Sequence, residues 1–227
     1  MKKDRFQNWE GYFKEAAKHN YPKWPNEPML RVIFGNYLKN KIQLTPRCKI
    51  LEIGCGFGNN LIPFYSQGYQ CFGTEVTEQV AQQTQGILHK RGLKVDIRCG
   101  RNTSLPFKDG MFDLVLSVNV IHYEKSAEDI SRAFMEYKRV LKKGGRLFLM
   151  TAGPGHEIAE RAKPLGRHRY LIRDYGFRTG EQFFFFENNR YLESILSKFF
   201  CRLEMGRVSE RLMTHKLDFL IAVCEKS

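Results

Sequence analysis

The chain has 227 residues, with 37 Lys and Arg against 24 Asp and Glu and a formal net charge of +13. That length suits one large domain with its own core. No run of eighteen apolar residues is present for a membrane span, and the N-terminal MKKDRFQNWEGYF has no apolar stretch of the signal-peptide kind. The positive balance fits an acidic partner (nucleic acid, anionic lipid or glycan, charged metabolite), and it also fits a solvated basic surface.

Residues 1–46 read as an N-terminal helical cap, interrupted by the aromatic, proline-rich stretch Tyr21-Pro-Lys-Trp-Pro-Asn-Glu-Pro28. The apolar run Lys49 to Ile53 is the first predicted strand, ending at Gly54-Cys-Gly-Phe-Gly58. Three glycines in five residues let the backbone approach a ligand where a Cβ would clash. A dinucleotide fingerprint needs G-x-G-x-x-G, and Asn59 stands where its last glycine belongs. Asn59 or Asn60 caps a short helix through Leu61 and Tyr65, with Pro63 tolerable near the first turn.

Gln70 to Glu75 is the second strand, and Thr77 starts a helix that runs to about His89. Val95 to Cys99 and Met111 to Asn119 are the third and fourth strands, the latter apolar enough to be buried on both faces. Apolar positions from Ile130 to Leu141 recur at helical spacing, and Arg146 to Met150 is the fifth strand. Strands alternating with helices over short connections predict a parallel sheet covered on both faces. Residues 47–151 form this core, and 190–227 add a helix and an antiparallel hairpin, Cys201–Arg207 with Leu217–Cys224.

Residues 152–189 break the alternation and read as an inserted lid or substrate segment. From Arg161 to Arg178 they carry Arg161, Lys163, Arg167, Arg169, Arg173 and Arg178 with Asp174 as the only acid. If this stretch caps a site, Arg167, Arg169 and Tyr170 suit phosphate or carboxylate groups. The run Phe183 to Phe186 reads as one strand packed on both faces. Six cysteines never form C-x-x-C, and six histidines form no H-x-H or H-x-x-x-H pair. The expectation is therefore free thiols in a cytoplasmic protein, with no metal.

Glu75 lies at the carboxyl end of the second strand, where a carboxylate can accept from both hydroxyls of a ribose, a geometry that suits NAD or an adenosyl ligand. Arg101-Asn-Thr-Ser-Leu-Pro-Phe-Lys-Asp-Gly-Met-Phe-Asp113 and Asn119-Val-Ile-His-Tyr123 follow. With these in place the chain resembles the class I S-adenosylmethionine-dependent methyltransferases, in the group acting on small molecules. E-x-G-x-G-x-G, the acidic ribose ligand, L-P-F-x-x-x-x-F-D and L-K-x-G-G stand in order over roughly positions 48 to 151.

The resemblance implies an α/β, doubly wound, Rossmann-like sheet of seven mostly parallel strands with the last antiparallel. It implies S-adenosylmethionine as cofactor. Gly54, Cys55, Gly56 and Asn60 belong to the loop facing the methionine part, and Glu52 organises that loop. Glu75 takes the ribose and Val76 packs on the adenine. Asn102 and Thr103 line the adenine pocket, and Asn119 and Val120 lie under the sulfonium. The family often has an acid after the glycine that follows strand three, where this chain has Arg101 and Asn102.

A sulfonium methyl needs an acceptor in line and water kept out. For a hydroxyl acceptor, His122 after the fourth strand is the candidate general base. Tyr21 and Trp24 together with the insertion are expected to close over the methyl. The expected acceptor is an oxygen or nitrogen of a small anionic metabolite, such as a nucleotide-linked sugar or surface-glycan precursor. The alternative is RNA or another nucleic acid, although no N-P-P-[YF] motif follows the fourth strand. Oligomeric state is left open.

Overall fold

The structure is a computed structural model that describes residues 7–18 and 23–227. Five parallel strands come first: β1 (Lys49–Ile53), β2 (Gln70–Glu75), β3 (Asp96–Cys99), β4 (Phe112–Val118) and β5 (Leu141–Ala152). The hairpin β9 (Cys201–Leu212) and β10 (His215–Glu225) completes a sheet of order β3-β2-β1-β4-β5-β10-β9. β10 runs antiparallel to both of its neighbours. This is the seven-stranded, mostly parallel sheet expected from the alternation, and the hairpin is longer than the apolar pattern indicated.

Helices cover both faces. On one side lie α5 (Ala127–Val140) and α7 (Asn189–Leu196), which contribute Phe134, Tyr137, Leu192 and Leu196 to a core with Leu51, Val115 and Leu149. On the other, α2 (Glu27–Phe34), α3 (Ile62–Ser66) and α4 (Glu78–Lys90) bring Met29, Phe64 and Leu88 against Ile50, Leu114 and Leu116. Successive β4 residues thus enter opposite cores, which is why its sequence is continuously apolar. Truncating a buried ring such as Phe134 to alanine costs about 3–5 kcal/mol.

The helix starts are set by their caps. Asn26, Thr77, Ser126 and Asn188 each accept a backbone N–H three residues on, from Met29, Val80, Asp129 and Tyr191. Each cap contributes roughly 1 kcal/mol. Asp113 ties strand ends together: it accepts from the Lys49 N–H at 2.8 Å and from Lys142 Nζ at 2.7 Å. The F-D and L-K elements of the sequence pattern are therefore architectural.

The insertion folds into the short helix α6 (Glu157–Glu160) and a second sheet, β6 (Ala162–Gly166), β7 (Arg169–Ile172) and β8 (Gln182–Phe184), all antiparallel. Phe183 and Phe185 pack in one small core with Ile158 and Ile172, while Phe184 and Phe186 enter the main core. Glu157 binds the insertion to the hairpin. Its carboxylate accepts from Tyr175 Oη at 2.9 Å and the Lys216 N–H at 3.0 Å, and it lies 2.9 Å from His215 Nδ1. Among the described residues no helix is long and apolar enough to cross a membrane.

Candidate active site

A cleft of about 380 Å³ opens at the carboxyl ends of β1, β2 and β4. Gly54 and Gly56 form part of its wall and both hold φ of +60°. A Cβ on Gly54 would stand 2.5 Å from Val120 Cγ1, so only glycine fits there. Glu75 borders the same wall, 4% exposed. Its Oε1 accepts the Gly56 N–H at 2.5 Å and its Oε2 the Val76 N–H at 3.2 Å. Burial pushes its carboxyl up to about 7 against the pull of those two donors.

Below the loop, Glu52 is buried, and its Oε1 accepts from Asn60 Nδ2 at 2.6 Å. Asn60 Oδ1 in turn accepts the Asn26 N–H at 2.7 Å, which joins the loop to the start of α2. Desolvation raises the Glu52 carboxyl to about 8, and its Oε2 has no hydrogen-bond partner. At the end of β4, Asn119 takes φ of +58° and its Oδ1 is buried without a partner. Asn102 borders the cleft, but its side chain is committed: Oδ1 accepts from Tyr137 Oη at 2.6 Å and Nδ2 donates to Glu124 at 2.8 Å.

Aromatic rings from three segments meet beside the cleft, where Trp9, Phe13 and Tyr123 form part of the lining. Helix α1 (Gln7–Lys18) sets Trp9, Tyr12, Phe13 and Ala16 along one face. Trp9 meets Tyr123 and Phe177 edge-on, at 5.1 and 5.0 Å between ring centroids. Tyr12 stacks on Phe177 at 3.9 Å. Arg178 donates to Tyr123 Oη at 2.9 Å, and Glu124, Lys125, Asp129 and Glu181 also border the cleft.

A protein-family model described as a methyltransferase domain matches residues 51–149. Residues 51–149 are thus similar to a methyltransferase domain. It is 33% identical over 129 residues to an uncharacterized protein of Methanocaldococcus jannaschii, covering 57% of this chain and 56% of that one. It is 34% identical to norajmaline N-methyltransferase of Rauvolfia serpentina over 105 residues, 45% of this chain and 35% of that enzyme. The chain thus spans from about a third to just over half of these curated relatives. A solved SAM-dependent methyltransferase from Methanosarcina mazei superposes with a TM-score of 0.69 at 23% identity, over 89% of this chain and 98% of that one. That likeness shows the fold.

Within the matched residues, Gly54, Gly56, Glu75, Val76, Asn102, Thr103, Asn119 and Val120 all border the cleft. Cys55 turns its sulfur toward Gly73 instead, and Asn60 and Glu52 act beneath the loop. His122 corrects the expectation of a base in the cleft. It is buried, stacks on Phe183 at 4.4 Å, and its Nδ1 lies 3.1 Å from Thr151 Oγ1 and accepts the Ala152 N–H at 3.4 Å. Burial holds it well below the usual imidazole range, and it forms no part of the cleft wall. The short 3-10 turn Ile121–Tyr123 sends Tyr123, not His122, into the cleft.

The cover differs too. Trp24 stands 74% exposed, and Tyr21 lies outside the described residues. Trp9, and not Trp24, borders the cleft. Its signal was legible, since Trp9, Tyr12, Phe13 and Ala16 fall at i, i+3, i+4 and i+7. Arg167 and Arg169 border a different cavity, and Tyr170 packs on Phe185 in the insertion's own core. The β7 alternation carries Arg169 and Tyr170 to opposite faces, so the pair cannot serve one site.

Proposed function

We propose that this protein transfers a methyl group from S-adenosylmethionine to an oxygen or nitrogen of a small molecule bound between α1 and the insertion. The observation that carries it is the buried Glu75 carboxylate beside a glycine loop that leaves no room for a Cβ at Gly54. The residues present fit the cofactor. Glu75 would hold the ribose hydroxyls, Val76 and Thr103 would flank the adenine, and the Gly54–Gly56 backbone would face the methionine part. The unpartnered Asn119 Oδ1 suits a donor from the ligand after a small side-chain adjustment. The chemistry supplied by the cofactor is an activated methyl on a sulfonium.

The chain's own residues then position and desolvate. Trp9 and Tyr123 line the cleft, with Phe177 packed against Trp9 beside it, an apolar wall that would help exclude water and suits a cationic centre. Asn102, fixed by Tyr137 and Glu124, acts as a spacer for the adenine pocket rather than a donor to it.

The charge lining the cleft bears on the expected anionic acceptor. Arg101, Lys125 and Arg178 border it, together with Glu124, Asp129 and Glu181. This mixture supports an acceptor with both signs, or a polar neutral one, over a purely anionic metabolite. The test is turnover of methyl-labelled cofactor on a small-metabolite extract and, in parallel, on total RNA. Label in the metabolite fraction supports the reading; label only in RNA overturns it.

A further inference from the structure

Arg167 and Arg169, which do not border the cleft, meet elsewhere. β6 and β7 pair with Gly166 opposite Arg169, so Arg167 and His168 form the two-residue turn of that hairpin. The turn sits against the start of α5. Arg167, His168 and Arg169 line a cavity of about 490 Å³ with Ser126, Ala127, Glu128, Phe184 and Tyr191. Ser126 caps this fourteen-residue helix, so the cavity faces the positive pole of its dipole. Lys125 borders the cleft and Ser126 borders this cavity, so the two are neighbours with separate walls.

His168 is the unexpected residue. Tight hairpin turns favour glycine or asparagine where φ is positive, and His168 takes φ of +62°. Its ring stacks on Tyr191 at 4.4 Å and packs near Phe184 at 5.3 Å. The side chain is only 7% exposed, its Nδ1 is 3.6 Å from Glu187 Oε1, and its Nε2 is buried with no hydrogen-bond partner. An unfavoured backbone and an unmet polar atom at one residue, flanked by two arginines, call for a ligand that supplies the missing partner.

We infer that the cavity between the Arg167–Arg169 turn and the N-terminus of α5 is a phosphoryl-binding site, distinct from the cleft. Arg167 and Arg169 supply forked donors, and a small shift of the ring brings His168 Nε2–H to a phosphate oxygen. Glu128 is the one acid in the lining. Its carboxylate is drawn toward its own backbone N–H and the Ser126 side chain, which holds its pKa below the usual range. It therefore competes with an incoming anion for the helix pole. The ligand is either free phosphate or the terminal phosphate of a larger molecule, held by the same groups.

Calorimetric titration of the full chain with sodium phosphate, against sodium chloride at matched ionic strength, tests the site. Saturable one-to-one binding is expected. The double change Arg167→Ala with Arg169→Ala should weaken it at least about tenfold, and Glu128→Gln should tighten it roughly two- to threefold. His168→Asn, which suits the turn, should weaken it while the protein stays folded by circular dichroism. A phosphomonoester such as glycerol phosphate binding more tightly than phosphate assigns the terminal group of a larger molecule; the reverse assigns the free ion. No saturable binding, or binding unchanged by all three variants, overturns the inference. Should the double variant not fold, the opposite responses of Glu128→Gln and His168→Asn still decide it.

Discussion

Glu75 holds the glycine loop through Gly56: the carboxylate Oε1 accepts that residue's N–H at 2.5 Å, across the gap between β2 and β1. One side chain therefore both shapes the loop and presents a carboxylate to the cleft. Changing Glu75→Ala should lower affinity for S-adenosylhomocysteine at least about tenfold, given roughly 1.5–3 kcal/mol for a hydrogen bond to a charged group. Calorimetry on the folded variant measures it, and unchanged affinity would remove Glu75 from the site.

The same carboxyl makes cofactor binding pH-dependent. Burial raises it to about 7 in the free protein, so it is largely protonated below that pH. Ribose hydroxyls donate to the ionised form. Affinity should hold above pH 8 and fall as pH drops through 7 toward 6, by up to about tenfold per unit. Glu75→Gln should bind weakly and lack this Glu75-linked slope over the range. A slope unchanged in that variant would assign the titration elsewhere.

Glu52 predicts a stability effect of its own. An acid raised to about 8 in the fold binds more protons there than in the unfolded chain, so stability falls as pH rises from about 4.5 to 8 and levels off above. Glu52→Gln keeps an acceptor for Asn60 and cannot ionise. Its melting temperature should gain on the parent protein between pH 5 and pH 9. Equal pH profiles for the two proteins would count against a raised carboxyl.

The ring contact between Trp9 and Phe177 gives a fourth test. In a double-mutant cycle with alanine at both positions, the coupling in kcat/KM for methyl transfer should be about 0.5–1.5 kcal/mol. Zero coupling would mean the two segments do not meet in the working enzyme.

His122 is buried against Phe183 and is absent from the cleft wall, so its loss should spare catalysis. His122→Asn retains an acceptor where Nδ1 meets the Ala152 N–H. Turnover should stay within about threefold, whereas loss of a general base costs roughly a hundredfold or more. The pH–rate profile should also be unchanged.

The parallel core was legible because its signals are local. Strand and helix periods, capping residues such as Thr77 and Ser126, and the turn glycines all act within a few positions of themselves. Glu75 was legible because a strand end fixes where its side chain sits. His122 and Trp24 were harder to place, each for its own reason. A short 3-10 turn decides whether position 122 or 123 faces the cleft, and that one-residue choice lies below the reach of spacing. Trp24 was weighed by its aromatic company, while Trp9 sat on a helix face whose period pointed inward. Arg169 and Tyr170 of the insertion were grouped by composition alone, and β7 separates them by alternation.

The position of β10 bears on how the molecule is made. Residues 215–225 enter the sheet between β5 and β9, and Glu157 of the insertion binds His215 and Lys216 at the start of that strand. On a ribosome, every residue assigned to the cofactor has emerged before β10 exists. The nascent chain can therefore shape its ligand loop early while β5 still presents an open edge. That edge is exposed to wrong pairing until β10 arrives, and the insertion lacks its anchor for the same interval.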